Sequence, residues 1–312
     1  MPLVFSTGKL LLLGLSLSLL AACGSGPESS KPIVIFCSPD SPRLRQAVAG
    51  FKARLKAGPV EVVCVPEFGP QGRATLRRVR ETNPRLLVVL GAPALLLAAP
   101  VVKQIPVVFA LVANPFFTGA AYDPAHPEIH QENVTGIASP APLAAALQHG
   151  VSLLGKGAWG LLYDPTDGVA VDLARRFETE ARRFGVEPLT ETSAAAGTDG
   201  DGLKRLMQRG AKVIYLPPTA SAARYSPLVL EAGRGMKVRV VSGLPEASCQ
   251  GKGAVLWVAL DYRRLGEDLG DLAGRVLAGE KPQTIPIVEQ TPLTVEVDET
   301  LARKWSGYPP AK

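Results

Sequence analysis

Short apolar runs of strand length alternate with amphipathic stretches of helical length along most of the chain. The run PIVIFC at 32–37 is apolar almost throughout, which indicates a strand buried on both faces. Ser41 and Pro42 suit the N-cap and first turn of a following helix. The apolar residues of that helix recur on one face, at Leu44, Val48, Phe51 and Leu55. The pattern therefore predicts a helix that covers a buried strand.

This alternation forms two series, and the second begins near Pro140. Further strands are predicted at 60–65, 85–91, 105–112, 157–163, 212–217, 237–241 and 254–260. Strands separated by helices in this way form parallel βαβ units. We therefore predict an α/β fold with two Rossmann-like, doubly wound parallel-sheet domains. Open sheets of this kind bind ligands beyond the carboxyl ends of their strands, so two facing sheets would form a binding cleft.

The N-terminus carries an apolar run over roughly 10–22 that follows Lys9. It is shorter than the ~20 residues a membrane-spanning helix needs, and it has the layout of a secretory signal. LAAC at 20–23 resembles the bacterial lipobox, which implies cleavage before Cys23 and lipid attachment to that residue. We expect a lipoprotein signal peptide at 1–22 and a flexible, polar tether at 23–31. The protein would then be anchored in the cell envelope, facing the periplasm or the extracellular side.

The charges are numerous but mixed. The chain has 34 basic and 28 acidic residues, with a formal net charge of +6. Acids and bases are interleaved, as in RRFETEARRF at 175–184, which is typical of solvated helix faces. Because no block of like charge occurs, we do not expect a nucleic-acid partner.

Three cysteines remain beyond the predicted signal peptide: Cys37, Cys64 and Cys249. An odd number cannot be fully paired within one chain. Cys37 and Cys64 stand at predicted strand ends, where we expect them to behave as small buried hydrophobic residues. No CxxC motif is present, and a proline separates His126 from His130, so we predict no metal site.

The sequence lacks the short motifs of common catalytic sites. It contains no Gly-x-Ser-x-Gly and no GxxxxGK[ST]. The segment GAPALLLAAP, which follows a predicted strand, lacks the Gly-x-Gly-x-x-Gly that a dinucleotide site needs. Three histidines in the whole chain leave few candidates for acid–base catalysis. We therefore predict a protein that is not an enzyme and that needs no cofactor.

Five segments carry a family resemblance: IPVVFALVANP, ENVTGIA, GLLYDPTDG, GAVLWVALDYRRLG and VLAGEKPQTIPI. Their order and spacing resemble the bacterial ABC-transporter substrate-binding family that includes aromatic amino-acid binding lipoproteins of the tryptophan type, over about 31–308. The resemblance implies a type I periplasmic binding fold, in which three crossovers join two lobes. We place the crossovers near 136–140, 249–254 and 286–292. The first lobe would comprise 32–137 plus 254–286, and the second 138–253 plus 287–312.

The resemblance also implies ligand contacts at several positions. Asp261 falls at an acidic position that would bind an α-ammonium group, and its alternative role is the N-cap of the helix that follows. Asn114 stands where relatives often carry an aspartate. Thr219 and Ser221 would donate hydrogen bonds to a ligand carboxylate, with turn and cap roles as the alternative.

Further candidates follow predicted strands. Asp164 and Thr166 would lie at the cleft mouth, although their segment also has an ordinary turn composition. Ser38, Ala92 and Pro93 occupy equivalent strand ends in the first domain. Backbone amides there would receive a ligand carboxylate.

These observations predict a monomeric, lipid-anchored binding protein. It would capture a small organic ligand, with an amino acid as the leading class, and deliver it to an ABC permease in the membrane. Domain closure would be favoured by contacts that the ligand makes with both lobes. The alternative is a lipid-anchored sensory or adaptor protein that uses the same fold without coupling to transport.

Overall fold

The computed structural model describes residues 31–306, except 67, 124, 194–199, 245–250 and 290–291. The predicted signal peptide, Cys23 and Cys249 lie outside the described residues. In chain order the strands are β1 (Ile33–Cys37), β2 (Val60–Cys64), β3 (Leu86–Leu90), β4 (Val107–Val112), β5 (Val134–Ala138), β6 (Ala158–Tyr163), β7 (Glu187–Thr192), β8 (Val213–Leu216), β9 (Arg239–Ser242), β10 (Leu256–Leu260), β11 (Val288–Glu289) and β12 (Leu293–Val297).

The helices lie between these strands. They are α1 (Pro42–Arg54), α2 (Pro70–Glu81), α3 (Ala92–Val101), α4 (Leu143–Leu154), α5 (Gly168–Arg183), α6 (Asp201–Gln208), α7 (Ala222–Arg234), α8 (Tyr262–Leu277) and α9 (Glu299–Ser306). Short 3-10 turns occur at Phe116–Thr118 and Pro282–Thr284. Within the described ranges, no helix is both long and apolar enough to cross a membrane.

The strands form two six-stranded sheets. The first sheet has the order β11-β5-β4-β3-β1-β2 and is parallel throughout. The second has the order β12-β10-β9-β8-β6-β7, and only its edge strand β12 runs antiparallel to its neighbour. Helices cover both faces of each sheet, with apolar cores between them. The predicted α/β fold with two doubly wound sheets is confirmed.

Helix α1 illustrates how the sequence directs this fold. The Ser41 hydroxyl accepts a hydrogen bond from the amide of Leu44 at 3.3 Å, so the predicted N-cap is formed. The buried face of α1 includes Leu44 and Phe51 and packs beside α8. The absence of a side chain at Gly50 permits the two helices to approach closely. A β-carbon there would lie only 2.0 Å from the carbonyl oxygen of Arg263. Together α1 and α8 cover one face of the first sheet.

The chain crosses between lobes at places that differ in part from the expectation. Strand β10 pairs with β9 and β12, so 254–260 belongs to the second sheet, and its expected assignment to the first lobe is wrong. The chain crosses at Asp261, because α8 packs on the first sheet. Residues 288–289 form β11, which pairs with β5, so they belong to the first sheet and not to the second lobe as expected. We use "first lobe" and "second lobe" for the two sheets with their covering helices.

A disulfide joins Cys37 to Cys64 at the carboxyl ends of β1 and β2. These residues are directly opposite each other in the ladder of the two parallel strands. The expectation that both cysteines behave as small buried hydrophobic residues is therefore wrong: they form a disulfide, and Cys64 is exposed. Strand pairing is what brings the two sulfur atoms together, since 27 positions separate the residues in sequence.

Candidate functional site

The carboxyl ends of both sheets face a common cleft. A cavity of about 480 Å³ lies there, and residues of both lobes line it. This volume is within the ordinary range for small-molecule sites. The location is the one that open parallel sheets use for ligand binding.

In the first lobe, the turns after β1 and β3 form one wall of this cavity. The Ser38 amide donates to the carbonyl of Leu90 at 3.0 Å, and the Gly91 amide donates to the carbonyl of Ala110 at 3.0 Å. The first bond holds the two turns side by side, and the second holds the turn after β3 against β4. Ala92 and Pro93, which begin α3, line the same wall. The predicted positions Ser38, Ala92 and Pro93 therefore meet at the cavity.

Two buried hydroxyls of this wall have no hydrogen-bond partner among the described residues: Ser38 Oγ and Ser139 Oγ. Both residues line the cavity, and Ser139 is only 7% exposed. Buried polar groups in proteins are nearly always hydrogen-bonded, because an unsatisfied one costs ~1–3 kcal/mol. A polar ligand in the cavity would satisfy these two hydroxyls.

Leu111 enters the cavity through an irregularity of the sheet. Its φ is 59°, in the left-handed region that a leucine rarely adopts, and the β4–β5 register shifts between Phe109 and Val112. Bulges of this kind re-aim side chains and are frequent beside binding sites. Leu111 lines the cavity as an apolar contact. The continuous apolar run of β4 gave no indication of this irregularity.

In the second lobe, the start of α5 supplies the charged part of the wall. Asp167 caps α5, since its Oδ1 accepts from the amides of Val169 and Ala170 at 3.0 and 3.2 Å. Asp172 and Arg176 follow along the same helix, and both are exposed and line the cavity. These three residues carry no distinguishing signal in the sequence, because acids and bases on an amphipathic helix are usual for a solvated face.

Thr219 is the predicted second-lobe residue that reaches the cavity. It is buried, and its Oγ1 lies 3.1 Å from the Oγ of Ser221. The same atom of Thr219 accepts from the Ala222 amide at 3.2 Å. Ser221 itself does not line the cavity, and its amide donates to Asp167 Oδ2 at 3.4 Å. The pair therefore connects the start of α7 to the start of α5.

Asp164 and Thr166 do not line the cavity but organise the turn behind it. Asp164 is 2% exposed and accepts from the amide and the hydroxyl of Thr166, at 2.8 and 2.6 Å. Its other oxygen pairs with Arg224. The hydrogen bonds from Thr166 and the charge of Arg224 lower the pKa of the Asp164 carboxyl.

Asp261 and Asn114 also have local roles in this structure. Asp261 Oδ1 accepts from the Arg264 amide at 2.9 Å, which makes Asp261 the N-cap of α8. Its neighbours Leu260 and Tyr262 line the cavity, whereas Asp261 does not. Asn114 Oδ1 accepts from the Phe116 amide at 3.0 Å and is likewise outside the lining.

The comparisons with known proteins agree with a cleft of this kind. The family described as "ABC transporter substrate binding protein" matches residues 40–306. The chain belongs to this family. Its members bind solutes and are not enzymes. They are periplasmic or extracellular proteins that work with ABC permeases. No curated protein sequence matches the chain significantly.

Solved structures show the same fold at low sequence identity. One is an ABC domain in complex with L-Trp from Streptococcus pneumoniae, at 19% identity and a TM-score of 0.68, covering 87% of this chain and 94% of that one. A ligand-free, open substrate-binding protein with adhesive properties from Clostridium difficile has 18% identity, a TM-score of 0.74 and coverages of 90% and 96%. A ribose ABC transporter protein from Conexibacter woesei has 16% identity, a TM-score of 0.62 and coverages of 88% and 94%. The chain therefore has the type I periplasmic binding fold.

Proposed function

We propose that this substrate-binding protein captures an amino acid or a similar zwitterion in its cleft and delivers it to an ABC permease. The observation that carries the proposal is the cavity between the lobes, which both walls line with polar groups. The first-lobe wall has the unpartnered hydroxyls, Arg43, and Asp40, which pairs with Arg45. The second-lobe wall has Asp167, Asp172 and Arg176. A zwitterion has one anionic and one cationic group. Such a ligand would meet a suitable partner on each lobe.

The first-lobe wall suits the ligand carboxylate. The helices α1 and α3 both begin at the cavity, and neither has an acidic residue in its first turn. Helix N-termini carry partial positive charge and unpaired amides, which favours anions there. The hydroxyls of Ser38 and Ser139 add two donors at the same wall.

The second-lobe wall suits the ammonium group. Asp167 and Asp172 line it, and within the described residues Asp172 has no ion-pair or hydrogen-bonding partner for its carboxylate. A charge-assisted hydrogen bond is about twice as strong as a neutral one. We therefore assign the ammonium contact to Asp172, with Asp167 beside it, in place of Asp261, which caps α8.

Apolar side chains between these walls would hold the rest of the ligand. Leu111, Leu260 and Tyr262 line the cavity, and Tyr262 is buried. An aromatic ring and two leucines provide contacts for an apolar or aromatic amino-acid side chain. The relative that contains L-Trp supports this ligand class.

Two features support export and a lipid anchor. The lipobox-like LAAC implies lipid on Cys23. The disulfide between Cys37 and Cys64 is typical of oxidising compartments, and disulfides are rare in the cytosol. We propose that the mature chain begins at Cys23 and is a monomer anchored by lipid in the cell envelope, facing the periplasm or the extracellular side.

A sensory or adaptor role is the second candidate. Regulators described as LacI-family proteins share the fold, with TM-scores of 0.60 and 0.59. A binding cleft that closes on a ligand can present its changed surface to a sensor as well as to a permease. Genes for a permease and an ATPase beside this one would favour transport.

Thermal unfolding of the mature chain, refolded to remove bound solutes, tests the ligand class. A ligand at a hundred times its dissociation constant adds ~2.7 kcal/mol of stability. At roughly 2–4 °C per kcal/mol, the shift is easily measured. We expect a selective shift with aromatic or branched amino acids. Shifts with sugars or purines and none with amino acids would contradict the proposal.

A further inference from the structure

A second groove lies on the first lobe, away from the cleft, between α2 and α3. It has a volume of about 330 Å³. Arg73, Arg77 and Arg80 line it from α2, and Leu96 and Val101 line it from α3. We propose that this surface, the basic groove, binds the headgroups of anionic phospholipids and so places the first lobe on the membrane. The proposal goes beyond solute binding, and it rests on the lipid anchor at Cys23.

The arginines of the basic groove are available for an external anion. They lie on one face of α2 at helical spacing, and all three are exposed. Among the described residues, none of the three has a side-chain ion pair or hydrogen bond. Arginines of α8, by contrast, pair with acids of their own segment, as Arg264 does with Asp268 at 3.1 Å. The only acid of α2 is Glu81, at its last position.

The apolar part of the surface suits the membrane interface. Leu96 is 50% exposed and Val101 is 44% exposed. Phe117 does not line the groove, but it lies in the 3-10 turn that packs against α3 and is 77% exposed. Surfaces that combine arginines with exposed phenylalanine and leucine are typical of proteins that lie on bilayers, where the rings and aliphatic groups enter the headgroup region.

The position of the groove also fits a membrane surface. The amide of Arg85 donates to the carbonyl of Pro32 at 3.1 Å, so the segment after α2 lies beside the point where the tether enters the first lobe. Lys31 is eight positions after Cys23, and an extended chain spans at most ~28 Å over that length. A lipid on Cys23 therefore keeps this end of the lobe within a short distance of the bilayer, whichever permease is present.

Vesicle binding by the mature chain with Cys23→Ser tests the groove without the lipid anchor. The probes are vesicles of phosphatidylglycerol mixed with phosphatidylcholine, and vesicles of phosphatidylcholine alone. We expect co-sedimentation with the anionic vesicles at low salt and its loss at high salt, because salt screens exposed charges. Each arginine near an anionic surface increases the binding constant about fivefold. The triple variant Arg73→Gln, Arg77→Gln, Arg80→Gln should therefore bind on the order of 100-fold more weakly.

A matched control removes the same charge from the second lobe. Arg175→Gln, Lys237→Gln and Lys304→Gln alter three exposed cations far from the groove. We expect this triple variant to keep most of the vesicle binding, and Phe117→Ser to weaken it. Equal losses in the two triple variants would show a general charge effect and would overturn the proposal. An absence of binding to anionic vesicles at low salt would also overturn the proposal, and an acidic protein would then be the next candidate partner for this surface.

The outcome is separable from the fate of the proposed function. Solute binding by the α2 triple variant should equal that of the unmodified chain, because α2 does not line the cleft. The anchor itself is tested by membrane fractionation of cells that carry Cys23 or Cys23→Ser.

Discussion

The hydroxyl oxygen of Ser38 lies 2.1 Å from the point where a β-carbon on Gly91 would stand. Gly91 also has a φ of 103°, which side chains rarely adopt. The absence of a side chain at Gly91 therefore permits the turns after β1 and β3 to meet at the cleft. This contact links backbone conformation directly to the wall that we assign to the ligand carboxylate.

Gly91→Ala should destabilise the protein by ~1–3 kcal/mol, because the backbone conformation is strained for alanine. It should also displace Ser38 and weaken ligand binding. Urea unfolding and calorimetric titration measure the two effects. Gly274→Ala is the matched control: it lies in α8 with no atom within 4 Å of the added carbon, and it should raise stability by ~0.5–1 kcal/mol. An unchanged affinity in Gly91→Ala would show that this turn does not contact the ligand.

The double variant Cys37→Ala, Cys64→Ala should lose about 3.5 kcal/mol of stability, because the disulfide closes a loop of 27 residues in the unfolded chain. Chemical unfolding with and without reductant checks this. Reductant should destabilise the unmodified chain to a similar extent and should not affect the double variant. If reductant leaves the unmodified chain unchanged, the two sulfur atoms are not bonded in solution.

Asp164 should make stability depend on pH. Its folded pKa is lowered below the ordinary value of 3.8, so its stabilising effect is fully present above that value and is lost as the pH falls through the folded pKa. Asp164→Asn should therefore be less stable than the unmodified chain near neutral pH, and the difference should shrink in acid. Asp201→Asn, at an exposed ion pair with Lys204, is the control and should change little. A difference that grows in acid would contradict this role.

Ser139→Ala should separate binding from folding. The Ser139 hydroxyl is buried without a partner among the described residues, so its removal should leave the ligand-free protein equally or more stable. Affinity for an amino acid should fall ~10- to 150-fold, because the hydroxyl would donate to a carboxylate. Ser226→Ala is the opposite case, since that hydroxyl donates to the Ala223 carbonyl at 3.0 Å. It should lower stability and leave the affinity unchanged.

Asp172 and Asp261 compete for the role of ammonium partner, and two variants decide between them. Asp172→Asn should weaken binding of an amino acid ~10- to 150-fold with little effect on stability. Asp261→Ala should cost about 1 kcal/mol of stability through the lost N-cap of α8 and should keep its affinity. Calorimetry and unfolding of both variants give the answer. The reverse pattern would return the ammonium contact to Asp261.

The sequence predicted the layers of the fold because each strand and helix carries its own local signal. Apolar runs such as β3 are buried along their whole length, and the Ser41 cap begins α1 as expected. The sheet that an apolar run joins is not a local property. Strand β10 has the same pattern as its neighbours, so its membership of the second sheet became visible only through its pairing with β9.

The candidate site was predictable only in part. Ser38, Ala92 and Thr219 follow strands, and the carboxyl ends of parallel strands meet at one edge, so their convergence follows from topology. Leu111 depends on a local departure from strand geometry that side-chain patterning does not encode. Asp172 lines the cavity because of the orientation of α5, and the sequence does not distinguish it from the other charged residues of that helix.

Calorimetric titration with L-tryptophan and two of its analogues tests the central claim most directly. Tryptamine lacks the carboxylate, and indole-3-propionate lacks the ammonium group. If the two lobes each bind one end of a zwitterion, the amino acid should bind and each analogue should bind ~10- to 150-fold more weakly. Equal affinity for all three compounds, or no affinity for this or any other amino acid, would contradict the account.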